Sequence, residues 1–450
     1  MKMKKNKIRV ISAVVSAIML ASSASVFAKF DAYNDPDGFT LGHYEAEVNQ
    51  EQRADTEKLY EQRPKNERQF ENLSRGLVAV LGENGTLVSW RFLGTDSNSL
   101  TYNLYCSGEK LNDEPITTTN FFHTGASTNA EYTLKEVENG EETGVEYTTT
   151  AWDKNYIGFK VTEREGYNID DGAVADLDGD GEYEILLRRV PSMDVNKRTS
   201  YPVIEAYKTD GTHMWTIDIG PNEINEVDIN FLAYDMDGDG KAEVIMRSFE
   251  GTTDGKGNTT GDTNGDGITD YSKSESNLAI FKDRQYIVST PEFLSIYDGE
   301  TGEETDRTDL KPSKEPLSDW SYRYSDTGRL TKRASHYLFG LAYLDGVTPS
   351  VVMVRGAWDN VRAAAWHIED GKFKEDWVHN TENKDDVNSI WGACNHNLVT
   401  VDVDFDGKDE ILSGPMAIDH DGSEMYAVKV YDNDGNAQKL AHGDAFDVAK

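Results

Sequence analysis

The chain has 450 residues, with 81 Asp and Glu against 45 Lys and Arg, for a formal net charge of −36. That excess excludes a surface built to hold nucleic-acid phosphates or an anionic membrane, both of which need clustered cations. Cys106 and Cys394 are the only cysteines, so no disulfide framework braces the loops. At roughly 100–200 residues per domain the length accommodates two or three domains.

Lys2, Lys4, Lys5, Lys7 and Arg9 precede an apolar run from Val10 to Ala21, and Val26 and Ala28 are the small residues a signal peptidase reads. Residues 1–28 are therefore expected to be a secretory signal peptide, giving an extracellular product with no membrane attachment after cleavage. Residues 29–67 are polar and rich in Glu and Gln, a solvated helix or a flexible lead. From residue 68 to 150 the pattern turns to short alternating runs, Leu77–Leu81, Thr86–Leu93, Leu100–Cys106 and Glu131–Leu134, with a turn at Glu83-Asn84-Gly85. Such runs predict a small β-sandwich.

Between residues 151 and 450 a strand, an Asp-Gly turn and a second strand recur: Val203–Tyr207 to Met214–Ile219, Leu341–Leu344 to Ser350–Val354, and Ala363–Ile368 to Phe373–Val378. Asp-Gly between alternating strands is a strong hairpin signal. A long series of hairpins without helical periodicity predicts an all-β domain, best a β-propeller.

Four acidic segments stand out. They carry Asp176, Asp178, Asp180 and Glu184; Asp235, Asp237, Asp239 and Glu243; Asp262, Asn264, Asp266 and Asp270; and Asp402, Asp404, Asp406 and Glu410. Oxygen side chains at positions one, three, five and nine, with glycine at six, suit Ca2+, a hard cation that takes six to eight oxygen ligands. They are not EF-hands, because position twelve holds Leu187, Met246, Lys273 and Ser413 rather than glutamate. Apolar strands follow three of them, at Ile185–Leu187, Val244–Met246 and Ile411–Leu412.

With those loops in place the chain resembles the rhamnogalacturonan lyases of polysaccharide lyase family 11. The resemblance rests on Arg68-Gln69, Arg75–Val80, Val88–Asp96, Ala175–Glu184, Tyr234–Glu243, Tyr343–Gly346 through Arg355-Gly356, Asn395–Leu398 through Met416–Gly422, and His442–Ala445. It departs from the family pattern at Asp170-Asp171, Arg189-Val190-Pro191, Asn225–Asn230 and Ala357–Asn360. The resemblance implies a fibronectin- or immunoglobulin-like β-sandwich followed by an eight-bladed, calcium-binding propeller. At roughly 40–50 residues per blade, residues 151–450 hold six or seven blades, so an incomplete ring is expected.

The implied reaction is β-elimination in the rhamnogalacturonan I backbone of pectin. The galacturonate carboxylate must be neutralised by a metal or an arginine, and a base must take the C5 proton as the C4 oxygen leaves. On the family's pattern His396 is the expected base and His442 its partner or a substrate-orienting group. His420, between Asp419 and Asp421, is expected to brace an acidic turn, while His43, His123, His213, His336, His367 and His379 carry no matching motif. The alternative is a non-catalytic calcium-stabilised propeller that binds acidic plant polysaccharide or mediates adhesion.

Overall fold

A computed structural model describes residues 67–439, apart from 126–128, 193–200, 224–228, 283, 322–323, 357–358, 382–385, 387–388, 394–395 and 432–435, together with isolated positions before residue 67. The expected signal peptide, most of the polar extension and His442 lie outside the described residues. Among these residues no helix is long and apolar enough to cross a membrane.

The first unit is the expected sandwich. One sheet joins Val78–Gly82, Gly85–Ser89 and Asn120–Thr124, and the other joins Glu109–Lys110, Thr101–Cys106, Glu131–Glu138 and Glu141–Thr150. Alternation sends Ala79, Val88, Tyr102, Leu104, Tyr132 and Leu134 into one core. Arg75 stands at its edge, its guanidinium forked between Asp96, at 2.7 Å, and Glu136, at 2.9 Å.

Four antiparallel four-stranded meanders follow. Sheet I comprises Tyr167–Ala175, Glu184–Pro191, Val203–Tyr207 and His213–Asp218. Sheet II comprises Phe231–Tyr234, Glu243–Phe249, Glu292–Tyr297 and Glu304–Asp309. Sheet III comprises Tyr337–Ala342, Ser350–Arg355, Arg362–Glu369 and Lys372–Asn380. Sheet IV comprises Val399–Val401, Glu410–Ser413, Met416–Ile418 and Glu424–Ala427, and a hairpin of Lys429–Tyr431 and Ala437–Lys439 comes after it. The first strands of successive sheets touch, I to II, II to III and III to IV.

The second strands explain this stacking. Val351–Val354 is a continuous apolar run, as a strand buried on both faces requires. Val352 and Val354 enter the core shared with sheet IV, while Val351 and Met353 enter the core shared with sheet II. In sheet II, Val244 and Met246 face sheet I and Ile245 faces sheet III. Each core is therefore an interface between neighbours, and no sheet folds around a core of its own.

Among the described residues the repeat length is stretched beyond roughly 40–50 residues, because long insertions separate strands. Between the second and third strands of sheet II lie the third acidic loop and a hairpin, Leu278–Phe281 with Arg284–Ile287. The helix Thr327–Ser335 enters between sheets II and III. Asp326 caps its N-terminus by accepting from Arg329 N at 2.9 Å, and Leu330 and Ala334 are buried.

Residues 68–74 run as a strap across one end of all four sheets. Arg68 donates twice to Asp409 of sheet IV, at 2.8 and 3.1 Å. Gln69 N donates to Val347 O in the sheet III hairpin at 2.9 Å, and Gln69 Nε2 donates to Asp235 O of sheet II at 3.2 Å. Ser74 N reaches Gly181 O of sheet I at 2.8 Å. Arg68→Ala leaves the nearly buried Asp409 carboxylate without its guanidinium, so it should lower unfolding free energy by about 1–3 kcal/mol in chemical denaturation. An unchanged midpoint would show that the strap contributes nothing to holding the sheets.

Candidate cation loops and active-site face

In sheets I, II and IV the acidic loop joins the first strand to the second. Position one folds the loop around itself: Asp176 accepts from Gly179 N and Gly181 N, both at 2.8 Å, and Asp235 from Gly238 N and Gly240 N, at 2.7 and 3.0 Å. Position nine ties back to the amide of position two. Glu184 accepts from Leu177 N at 2.9 Å, Glu243 from Met236 N at 2.9 Å, and Glu410 from Val403 N at 2.6 Å. Position four is left-handed, glycine in the first two loops but Phe405, with φ of 65°, in the loop of sheet IV.

This folding brings acids together. Oxygens of Asp176, Asp178 and Asp180 lie within 4.8 Å of one another, as do those of Asp235, Asp237 and Asp239, and those of Asp402, Asp404 and Glu410. Burial and the neighbouring aspartates push the Glu243 and Glu410 carboxyls up to about 8. Burial likewise raises Asp176, Asp235 and Asp404. Asp178 Oδ1, Asp402 Oδ1 and Glu410 Oε1 are buried without a hydrogen bond. Converging oxygens of this kind fit a divalent cation, and Ca2+ suits them by charge and ligand type.

The loop Asp262–Asp270 differs. It lies in the sheet II insertion, and Asp262, Asp266 and Asp270 form no such group among the described residues. Asp270 is engaged locally, accepting from Ser272 Oγ at 2.5 Å and pairing with Lys273 at 3.0 Å. A 3₁₀ turn, Tyr271–Lys273, follows it where the other loops enter a strand.

The opposite end of the sheets carries His396, exposed just before the first strand of sheet IV. Its ring lies 5.9 Å from that of His336 at an interplanar angle of 72°. His336 closes the helix Thr327–Ser335, its amide bonding Lys332 O at 3.2 Å and its carbonyl accepting from Gly356 N at 2.9 Å. No motif singled out His336; only the folded chain brings it to His396. Arginines border this end. Arg355 reaches Glu292 at 2.7 Å, Arg247 lies 3.5 Å from Glu292 with its guanidinium 4.5 Å above the Tyr337 ring, and Arg188 pairs with Asp170.

Strands of six residues span roughly 20 Å, so the cation loops and His396 stand about one strand length apart. A cation held in those loops would stand about that distance from His396.

Comparison with known proteins agrees with this architecture. Residues 68–152 match the model described as Rhamnogalacturonan I lyases beta-sheet domain, and residues 158–448 match Rhamnogalacturonan lyase family 11, C-terminal domain. The chain belongs to rhamnogalacturonan lyase family 11. It is 37% identical over 393 residues to Rhamnogalacturonan endolyase YesW of Bacillus subtilis (strain 168), covering 84% of this chain and 58% of that protein. It is also 37% identical over 398 residues to Rhamnogalacturonan exolyase YesX of the same organism, covering 85% and 60%. The crystal structure of YesX superposes with a TM-score of 0.71, covering 85% of this chain and 61% of that one. The chain thus spans about three-fifths of the length of these relatives.

The loop carboxyls generate a pH dependence. Between about pH 5 and 8 a cation-free folded protein retains protons on Glu243 and Glu410 that the unfolded chain has released, so its stability falls as pH rises through that window. Saturating Ca2+ should abolish the slope and raise the melting temperature at pH 8. Calorimetry across pH, with EDTA or with Ca2+, checks this; identical profiles would remove the cation from the loops.

Proposed function

We propose that this chain is a secreted, calcium-stabilised polysaccharide lyase that cleaves the rhamnogalacturonan I backbone by β-elimination at galacturonate. Sheets I–IV are successive blades of a β-propeller, and residues 1–28 direct export. The observation that carries the reading is the 37% identity to two rhamnogalacturonan lyases across both the sandwich and the sheets. His396, exposed beside His336 at the face opposite the cation loops, supports it.

In this reading His396 in its neutral form takes the C5 proton of a galacturonate held on that face, and the C4 oxygen leaves with the glycosidic bond. His336 orients its imidazole, and His442 assists as partner or substrate-orienting group. Neutralising the sugar carboxylate falls to an arginine of this face, because the Ca2+ loops lie a strand length away. Bound Ca2+ supplies counter-charge to Asp176, Asp178, Asp180 and Glu184, to Asp235, Asp237, Asp239 and Glu243, and to Asp402, Asp404, Asp406 and Glu410.

The test is appearance of ultraviolet-absorbing unsaturated uronate from rhamnogalacturonan I in a Ca2+-replete preparation. His396→Ala should lower turnover about 10²–10⁴-fold, the usual contribution of a general base, while retaining the polymer in affinity gels. Retention without any product from the unsubstituted chain would overturn the lyase and leave a binding propeller.

A further inference from the structure

Most arginines at the histidine end are engaged by carboxylates. Arg355 and Arg247 face Glu292, and Arg188 pairs with Asp170. Arg333, on the helix Thr327–Ser335, pairs with Asp359 and donates to Ser321 Oγ at 3.1 Å. Arg329, one turn earlier on that helix, differs. Among the described residues no carboxylate pairs with its guanidinium, and its Nε is buried without a hydrogen bond. With 81 Asp and Glu against 45 Lys and Arg, pairing was not limited by supply.

Two rings hold this guanidinium. Its central carbon lies 3.9 Å from the centroid of Tyr324 and 5.4 Å from that of Phe281. Tyr324, 40% exposed, belongs to the chain entering the helix, and Phe281 to the hairpin Leu278–Phe281 with Arg284–Ile287. The hairpin is seated on the helix at Gly328, where a Cβ would stand 2.1 Å from Ile280 O. A guanidinium stacked on a ring keeps its in-plane N–H groups for a planar acceptor, and their fork matches the two oxygens of a carboxylate. Side-chain freedom is then lost on folding and not on binding.

Arg329, Arg333 and His336 recur at i, i+4 and i+7, so they follow one stripe of the helix into its C-cap. The stripe ends where the His336 ring meets that of His396, and Arg329 stands about 10 Å back along the axis. Here the charge also changes sign. From Lys311 to His336 there are six Lys and Arg against three Asp and Glu, in a protein of net charge −36. A polyanion is attracted to such a stretch and repelled by the acidic average surface.

We propose that Arg329 is a carboxylate clamp for a second galacturonate of the polymer, away from the one deprotonated beside His396. A backbone of alternating rhamnose and galacturonate presents its next carboxylate one disaccharide on, so a chain laid along this stripe brings another acid to the stacked guanidinium. Arg329 acts on binding and register and does not touch the reacting bond. The clamp rests on the substrate class proposed above, and it does not require that the bond be cut.

Full-length, Ca2+-replete protein is run in affinity gels containing rhamnogalacturonan I, or the same polymer with its carboxyls reduced to alcohols. The His396→Ala background keeps the polymer intact. The acidic polymer should retard this protein, and the reduced polymer should retard it far less. Adding Arg329→Ala should weaken retention by the acidic polymer about tenfold, the loss of one forked, charge-assisted pair, without changing the response to the reduced polymer. Arg329→Lys keeps the charge at this point of the helix but neither stacks nor forks, and should stay closer to Arg329→Ala than to arginine. With His396 restored, Arg329→Ala should raise KM for the polymer by a similar factor. Equal retention with arginine and with alanine overturns the clamp, and full recovery with lysine overturns the forked recognition. Weakened retention, with no unsaturated product from the unsubstituted protein, overturns the lyase and keeps the clamp.

Discussion

Buried carboxylates that converge at one end of three sheets are the constraint to which the rest of the structure answers. Each loop turns its first aspartate inward onto glycine amides and anchors its glutamate onto the amide of position two. The backbone thereby enforces a proximity that the charges oppose, and burial removes the water that would screen them. Retained protons or added positive charge must relieve that opposition. Divalent cations answer by charge and ligand type, and side chains contribute where they can reach, Lys208 to Asp178 and Arg68 to Asp409. These loops also hold successive sheets in register, since Ala242 N of the sheet II loop donates to Asp176 O of sheet I at 2.7 Å.

This charge, part of a net −36, gathers at one end of the sheets. The strand length separating loops from His396 exceeds the Debye length of about 8 Å at physiological ionic strength. The histidine end is built differently, from arginine and carboxylate pairs in which Arg188, Arg247 and Arg355 lie toward the ends of second strands. Glu292 there is held below the usual carboxylate range despite burial, chiefly by the Arg355, Lys314 and Arg247 charges around it.

What could be read before folding was what short spacing encodes. Asp-Gly hairpins at Asp210-Gly211, Asp345-Gly346 and Asp370-Gly371 formed as expected, because turn chemistry is a local property. The loops of sheets I, II and IV gathered their side chains, and the loop Asp262–Asp270 carried a visible warning: a 3₁₀ turn and not an apolar strand follows Asp270, whose partners are local. The number of sheets was not legible, since the hairpin Leu278–Phe281 with Arg284–Ile287 has the texture of blade strands but belongs to an insertion. His336 was passed over for a related reason. Its value lies in a neighbour from the next sheet, which no spacing along the chain encodes. The strap was hidden likewise, a polar stretch whose partners are distant turns.

Sheet III shows why that strap exists. Its first strand pairs Ala342 with Ser350, as Ala175 pairs with Glu184 in sheet I, so Tyr343 occupies loop position one and Pro349 stands where position eight would be. Tyrosine cannot serve as a carboxylate ligand, and proline has no N–H to donate to the preceding sheet. Both losses are met by the strap. Asp235 O, the counterpart of the carbonyl that Ala242 N satisfies in sheet I, accepts from Gln69 Nε2. The guanidinium of Arg68 lies 4.6 Å over the Tyr343 ring and grips Asp409, whose carboxylate accepts in turn from Tyr343 N at 3.0 Å. Tyr343 OH closes the circuit by donating to Gln69 O at 2.6 Å. An arginine on the incoming chain thus ties the end of sheet III where its neighbours carry carboxylate loops. The strap leading into the sandwich is thus fastened at sheet III, where no acidic loop stands, as well as at sheet I through Ser74.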